Sequence, residues 1–187
     1  MKQVPPANLK LFMMLAGGGA VLDLTSKWLV FTKVGIPQPG LPAPTLKLWP
    51  GVFSLTTSFN KGALWGLGGN VPFANWLFAS LSVLAGAAIV YWLFWHGAAK
   101  DRLLTMALGL IMAGTIGNCY DRLVWGKVRD WIYFELINWP IFNLADSMLV
   151  CGAGVLMLQA VFAESSHPKT APTADSVTEP AIEMSEK

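Results

Sequence analysis

The stretch Trp139-Pro-Ile-Phe-Asn143-Leu-Ala-Asp146-Ser-Met-Leu-Val-Cys151-Gly-Ala-Gly-Val-Leu-Met-Leu-Gln159-Ala-Val-Phe-Ala163 is long and apolar enough to cross a bilayer, yet it carries a carboxylate seven residues in. A charged acid at that depth costs roughly 2.5–3.5 kcal/mol on insertion scales, so an acid inside a span is read first as a functional group. A protonated Asp146 bonded to a neighbouring helix would explain the residue structurally. Its company favours chemistry instead. Asn143 lies one turn earlier on the same helical face. The preceding apolar run ends in the polar cluster Gly117-Asn118-Cys119-Tyr120-Asp121-Arg122.

Working outward, four apolar spans emerge: Leu9 to Phe31, Val71 to Trp95, Leu103 to Tyr120, and Trp139 to Ala163. Each meets or approaches the roughly 20 residues that cross a hydrocarbon core. The composition agrees, with 54% hydrophobic residues, 13% charged residues and nine Trp among 187 positions. A soluble domain carries about 25% charged residues. The expected fold class is therefore a polytopic α-helical membrane protein with four transmembrane helices. The Lys-flanked start, Lys2 to Ala20, has the outline of a cleavable leader, but the apolar run resumes at Val21, so it is expected to be a retained span.

Between spans one and two, Pro37, Pro39, Pro42 and Pro44 break any helix. Thr45-Leu-Lys-Leu-Trp49 and Phe53-Ser-Leu-Thr-Thr-Ser-Phe59 then alternate apolar with polar residues, which predicts strands. A small β segment over 33–70 is expected on the membrane surface, with the glycines from Gly62 to Gly69 turning the chain back. Residues 1–163 form the expected membrane domain. Residues 164–187, rich in Pro, Ser, Thr and Glu, form an expected disordered tail.

Four crossings put both termini on one side. Lys2, Lys10, Lys100, Arg102 and Lys169 lie there, against Lys33, Lys47, Lys61, Arg122, Lys127 and Arg129 on the other, which is close to a draw. The short basic N-terminus and tight basic hairpin tip the reading towards cytoplasmic termini. The net charge of +2 and the lack of a Lys/Arg-rich run speak against a nucleic-acid partner. Cys119 and Cys151 fall too far apart along their spans for a bridge and are read as small apolar fillers.

The side-chain inventory restricts the chemistry. His96 and His167 both fall on the side away from the polar clusters, so a Ser–His or Cys–His nucleophile has no base there. No HExxH or CxxC motif offers metal ligands, and Gly17-Gly-Gly19 lacks the Gly-Lys-Ser/Thr ending of a phosphate loop. No metal and no cofactor is expected. Carboxylates remain: Asp121, Asp130, Glu135 and Asp146. Two neighbouring acids can share one proton, one acting as base on a water and the other as acid towards a carbonyl. Asp130 has an alternative as a solvated partner of Arg129 or Lys127. Asp121 is its rival, explained without catalysis by an ion pair with Arg122 or a helix cap. Asp23 and Lys27, four apart on one face, read as an intramembrane pair that pins the site.

At these residues the sequence resembles the lipoprotein signal peptidases (signal peptidase II), bacterial membrane aspartyl peptidases. Asp23-Leu-Thr-Ser-Lys27 is similar to the family's first-span motif. Phe59-Asn60-Lys-Gly62-Ala63-Leu-Trp65-Gly66 resembles its FNxGAxxG segment, with Trp for Phe. Ala113-Gly114-Thr-Ile-Gly117-Asn118-Cys-Tyr-Asp121-Arg122 resembles GGxxGNxxDR, with Ala for the first Gly. Val128-Arg-Asp130-Trp131 resembles VxDF with a different aromatic, and Phe142-Asn143-Leu-Ala145-Asp146 matches FNxAD. The resemblance implies a catalytic pair of Asp130 and Asp146. It also implies a substrate site lined by Asn60, Asn118, Arg122 and Asn143, and prolipoproteins bearing a diacylglyceryl group as substrates. The expectation is a monomeric endopeptidase in lipid contact in the bacterial inner membrane, acting on its periplasmic side. The competing reading is a small proton-coupled transporter relaying through Asp23, Lys27 and Asp146, although no internal repeat of the kind transporters show is present.

Overall fold

The computed structural model describes residues 5–62 and 73–165. Its four long apolar helices are α1 (Pro6–Lys33), α2 (Ala74–His96), α3 (Arg102–Trp125) and α4 (Leu144–Ser165). Outward-facing positions are apolar, among them Val21, Leu22, Leu84, Val150, Met157 and Phe162. The buried polar groups gather inside instead. This inversion is what lipid selects, because hydrocarbon solvates apolar side chains and nothing else.

Helix α3 forms the axis of the bundle and packs against each of the other three. Its inward face is small, with Ala107, Gly109, Ala113, Gly114 and Gly117 all buried. Small residues let backbones approach closely, which drives helix association in lipid. A Cβ at Gly114 would meet the Ala145 carbonyl oxygen and stand 2.6 Å from Leu149 Cγ. A Cβ at Gly152 would lie 2.6 Å from Ile111 Cγ1 and 2.8 Å from the Ala107 carbonyl oxygen. These contacts set the register: the start of α4 lies level with Gly114 to Gly117. That is about 12–16 Å below the end of α3 at 1.5 Å per residue.

At the tight end of the bundle, Asp101 Oδ1 accepts from the N–H groups of Leu103 (2.8 Å) and Leu104 (3.0 Å) and caps α3. At the opposite end, β1 (Thr45–Trp49), β2 (Phe53–Asn60) and β3 (Val128–Tyr133) form an antiparallel sheet in the order β1-β2-β3. The first two strands fall where the alternation puts them.

Three expectations are corrected. The connection between spans three and four, for which no strand is expected, supplies the sheet's third strand and places Asp130 on β3, opposite Ser58 of β2. Span three extends beyond Tyr120 to Trp125, where Gly126 (φ 67°) ends the helix in the left-handed region. Span four begins at Leu144 rather than Trp139, because Phe142 pairs with Ile132 of β3 and keeps the preceding segment extended. Asp146 therefore lies in the first turn of α4, not two turns inside it. The turn expected over 62–69 lies, from residue 63 onward, outside the described residues, as do His167 and the rest of the tail from 166.

The register makes a direct prediction. Gly114→Ala adds a Cβ against a carbonyl and should destabilise the protein by about 1–3 kcal/mol. Gly154→Ala, where nothing lies within 4 Å, should leave stability unchanged or slightly raised. Thermal denaturation of both variants in detergent reads the difference.

Candidate active site

The site is built around the buried N-terminus of α4. The first turn of a helix leaves four N–H groups without intrahelical partners, and hydrocarbon cannot satisfy them. Asn143 Oδ1 accepts from Asp146 N–H (2.9 Å), and Asp146 Oδ2 accepts from Asn143 N–H (3.2 Å). This reciprocal pair is a capping box, which needs residues three apart. The Ala145 N–H donates to Asp23 Oδ1 of α1 (2.9 Å). Three acceptor side chains thus close the helix end, and the partial positive charge there favours carboxylates.

The two asparagine amides then reach the acids. Asn118 Nδ2 donates to Asp146 Oδ1 (2.7 Å), and Asn143 Nδ2 donates to Asp130 Oδ1 (2.6 Å) and to Asn118 Oδ1 (3.1 Å). Asp130, Asn143, Asn118 and Asp146 therefore form one hydrogen-bonded chain joining β3, α3 and α4. Asn60 of β2 also hydrogen-bonds the Asp130 carboxyl.

Beneath this chain lies a buried ion cluster. Lys27 Nζ is 2.7 Å from Asp23 Oδ2, 3.3 Å from Asp121 Oδ2 and 3.2 Å from Asn118 Oδ1. Arg129 of β3 holds Asp121 through Nη2 (2.7 Å), Nε (3.1 Å) and its backbone N–H (2.9 Å). Asp23, Lys27 and Asp121 are fully buried. Two acids and two bases balance, which is how such charges survive burial. Because Arg129 precedes Asp130 on the strand, this fork also positions the Asp130 carboxyl.

Asp130 is 2% exposed, and among the described residues no cation lies within ion-pair distance of it. Burial pushes its carboxyl up to about 7, the negative charge of Asp146 adds to this, and the Asn143 and Asn60 hydrogen bonds and Lys27 oppose it. Asp130 thus keeps a proton close to neutral pH while Asp146 sits among donors to both of its oxygens.

A cavity of about 440 Å³ opens on this chain. Asn60, Asn118, Arg122 and Asp146 line its polar end, and Phe78, Leu81, Leu149 and Val150 its apolar walls. Asp130 and Asn143 are not among the residues lining it; Asp130 is joined to its polar end through Asn143 and Asn118. Arg122 donates to the Gly62 carbonyl (3.0 Å), and its guanidinium sits 5.4 Å from the centre of the Phe78 ring.

The structure thus gathers Asp130, Asp146, Asn118 and Asn143 into one cluster, with Asn60 and Arg122 at the cavity. Asp23, Lys27 and Asp121 form the base beneath. Asp121 was expected to pair with Arg122 but takes Arg129 and Lys27 instead, because α3 turns it inward and Arg122 outward to the cavity. Arg129, expected only as a surface partner of Asp130, is the residue that sequence reasoning missed. Glu135 belongs elsewhere, accepting from Gly51 N–H (3.0 Å) in the strand hairpin. Cys119 and Cys151 are both free thiols.

The sequence profile described as Signal peptidase (SPase) II matches residues 15–162. A lipoprotein signal peptidase of Rhodopirellula baltica is 43% identical over 172 residues, covering 83% of this chain and 74% of its own. One from Symbiobacterium thermophilum is 35% identical over 156 residues, covering 82% and 96%. In fold, the chain is similar to a bacterial membrane enzyme determined by the in meso method at 2.3 Å resolution, with a TM-score of 0.76 at 24% identity, covering 91% of this chain and 98% of that one. A second such enzyme, at 1.9 Å, gives 0.68 at 25% identity, covering 80% and 92%.

Removing one member of the ion cluster should cost far more than removing a pair. Arg129→Leu is expected to destabilise the protein by about 3–5 kcal/mol, and Arg129→Leu with Asp121→Leu should recover most of that loss. Denaturant unfolding in detergent micelles checks both.

Proposed function

We propose that Asp130 and Asp146 are the catalytic pair of this chain, which belongs to the signal peptidase II family and is a membrane peptidase of lipoprotein signal peptides. The observation that carries the assignment is the double role of Asn143. It donates a side-chain N–H to Asp130 and its backbone N–H to Asp146, so a single residue fixes both acids relative to each other.

In this reading Asp146 accepts a proton from a water while Asp130, protonated, donates its proton to the scissile carbonyl oxygen. The water oxygen bonds to the carbonyl carbon, giving a tetrahedral diol. Asp146 then passes its proton to the leaving amine as the C–N bond breaks, and Asp130 regains one from the diol. No metal is needed, because the carboxyls exchange roles. Asn60, Asn118 and Arg122 hold the peptide in the cavity, with Arg122 suited to a carbonyl oxygen. Asp23, Lys27 and Asp121 support the pair.

The substrates are prolipoproteins bearing a diacylglyceryl group, whose acyl chains would rest along the apolar cavity walls in contact with lipid. We take residues 1–163 as one catalytic unit working as a monomer. Both termini are assigned to the cytoplasm and the site to the periplasmic face of the inner membrane. The short basic N-terminus and the tight basic hairpin around Lys100 and Arg102 support this orientation. The transporter reading gains nothing from the relatives, which are peptidases.

Purified protein incubated with a lipidated precursor should yield a shortened product, and the unlipidated precursor should not be cut. Asp130→Asn or Asp146→Asn should lower turnover by about three orders of magnitude or more while insertion stays intact. Since the mechanism needs the Asp130 proton, turnover should fall as pH rises through about 7. Removing the Asn60 hydrogen bond, which favours the ionised form, should move that limb to higher pH. A limb that stays put in Asn60→Ala removes Asp130 as its source.

A further inference from the structure

Lys27 lies below the acids, and its buried ammonium is divided among three acceptors. Two are carboxylates, Asp23 and Asp121; the third is the Asn118 side-chain oxygen at 3.2 Å. Charge balance accounts for the first two contacts. The third has a different consequence. A side-chain amide is nearly symmetric in shape but not in function, since one end only accepts and the other only donates.

We infer that Lys27 is a positioning residue that sets which end of the Asn118 amide faces Asp146. An ammonium has donors and no acceptor, so the end of Asn118 beside it must be the oxygen. The Nδ2 end is then turned to Asp146 Oδ1 at 2.7 Å. The Asn118 oxygen in turn receives Asn143 Nδ2 at 3.1 Å, and the same Nδ2 serves Asp130 Oδ1 at 2.6 Å. Asn143 is oriented from its other end, since Oδ1 accepts the Asp146 backbone N–H. All the polarities run one way, from the ammonium and the helix end towards the two acids. Without Lys27 the Asn118 oxygen keeps only Asn143 Nδ2, a donor that Asp130 shares, so the amide is held less firmly with its own donor on Asp146.

Several charged groups surround this point. On its own helix Lys27 faces Asp23; from α3 come Asp121 and Arg122, from β3 Arg129 and Asp130, and from α4 Asp146. Asn60 of β2 touches Asp130. Arg129 is taken by Asp121, and Arg122 by the Gly62 and Asn118 carbonyls. Lys27 is therefore the cation that acts on Asn118 at its acceptor end, and its charge also favours ionisation of Asp130.

This inference rests on the proposed catalytic pair, so its test has two arms. The variant D23N/K27M removes the ammonium with one matching acid. It leaves Asp121 paired with Arg129, and its amide oxygen can still accept the Ala145 N–H. Per folded molecule, kcat on the lipidated precursor should fall about tenfold or more, the scale of one lost charge-assisted hydrogen bond, with KM nearly unchanged. The alkaline limb should move to higher pH. Independently of turnover, the Asn118 side-chain N–H groups, followed by 1H–15N NMR of the labelled protein in detergent, should lose the downfield shift that the bond to Asp146 gives one of them. If folded D23N/K27M keeps its kcat and its Asn118 N–H shifts, Lys27 is only structural and the inference is overturned. If those shifts change but the native chain cleaves nothing, the positioning role stands and the peptidase assignment falls. If D23N/K27M does not fold, Asn118→Asp, which keeps the acceptor for Lys27 and removes the donor to Asp146, carries the test. It should show the same loss in kcat, beside whatever KM change its place in the cavity brings, and native kcat there overturns the inference.

Discussion

A helix that begins inside a membrane protein must satisfy its first N–H groups from side chains, and this constraint organises the whole site. The α4 terminus starts about 12–16 Å below the end of α3 because Gly114 and Gly117 allow Ala145 to approach. Neighbouring apolar side chains cannot serve the orphan donors there, and each one left unpaired costs several kcal/mol. Asp23, Asn143 and Asp146 meet the need. The spacing of Asn143 and Asp146 is that of a capping box, so one of the two acids is fixed in place by the same bonds that close the helix.

Electrostatics then separates the acids by their partners. Asp23 and Asp121 have cations at contact distance and act as counter-ions. Asp130 is buried with amides but without a contacting cation, and its carboxyl is pushed up to about 7. Asp146 faces donors at both oxygens and a cavity at its side. The sorting is a matter of magnitude. Desolvation of the Asp130 carboxyl outweighs its hydrogen bonds from Asn143 and Asn60. Burial of four charges is tolerated because they sum to zero.

The membrane class, the four spans and both early strands were legible because hydropathy and period two are local signals. The polar cluster at Asn118 and the Asn143–Asp146 pair were legible too, since buried polar residues stand out in apolar runs. Strand β3 was not, for a physical reason: Arg129 and Asp130 are both buried through partners on α3 and α4, so Val128-Arg-Asp-Trp-Ile-Tyr133 shows no clean alternation. The start of α4 was misplaced because apolar composition does not distinguish a helix from an extended segment. Pro140 disfavours helix at Trp139, and an Asn three residues before an Asp marks a helix start. The Asp121–Arg129 pairing depends on a strand folding back over a helix, and nothing in the local sequence announces it.

The central claim is that Asp130 and Asp146 act together on one tetrahedral centre at the end of α4. It is tested most directly by an experimental structure with a peptide whose scissile carbonyl is replaced by a secondary hydroxyl. The account predicts that hydroxyl between the two carboxyls, within hydrogen-bond distance of an oxygen of each, with the Asn118 and Asn143 amides in their present orientation. A hydroxyl bound to neither acid, or to Asp146 alone with Asp130 sealed away behind Asn143, would contradict it.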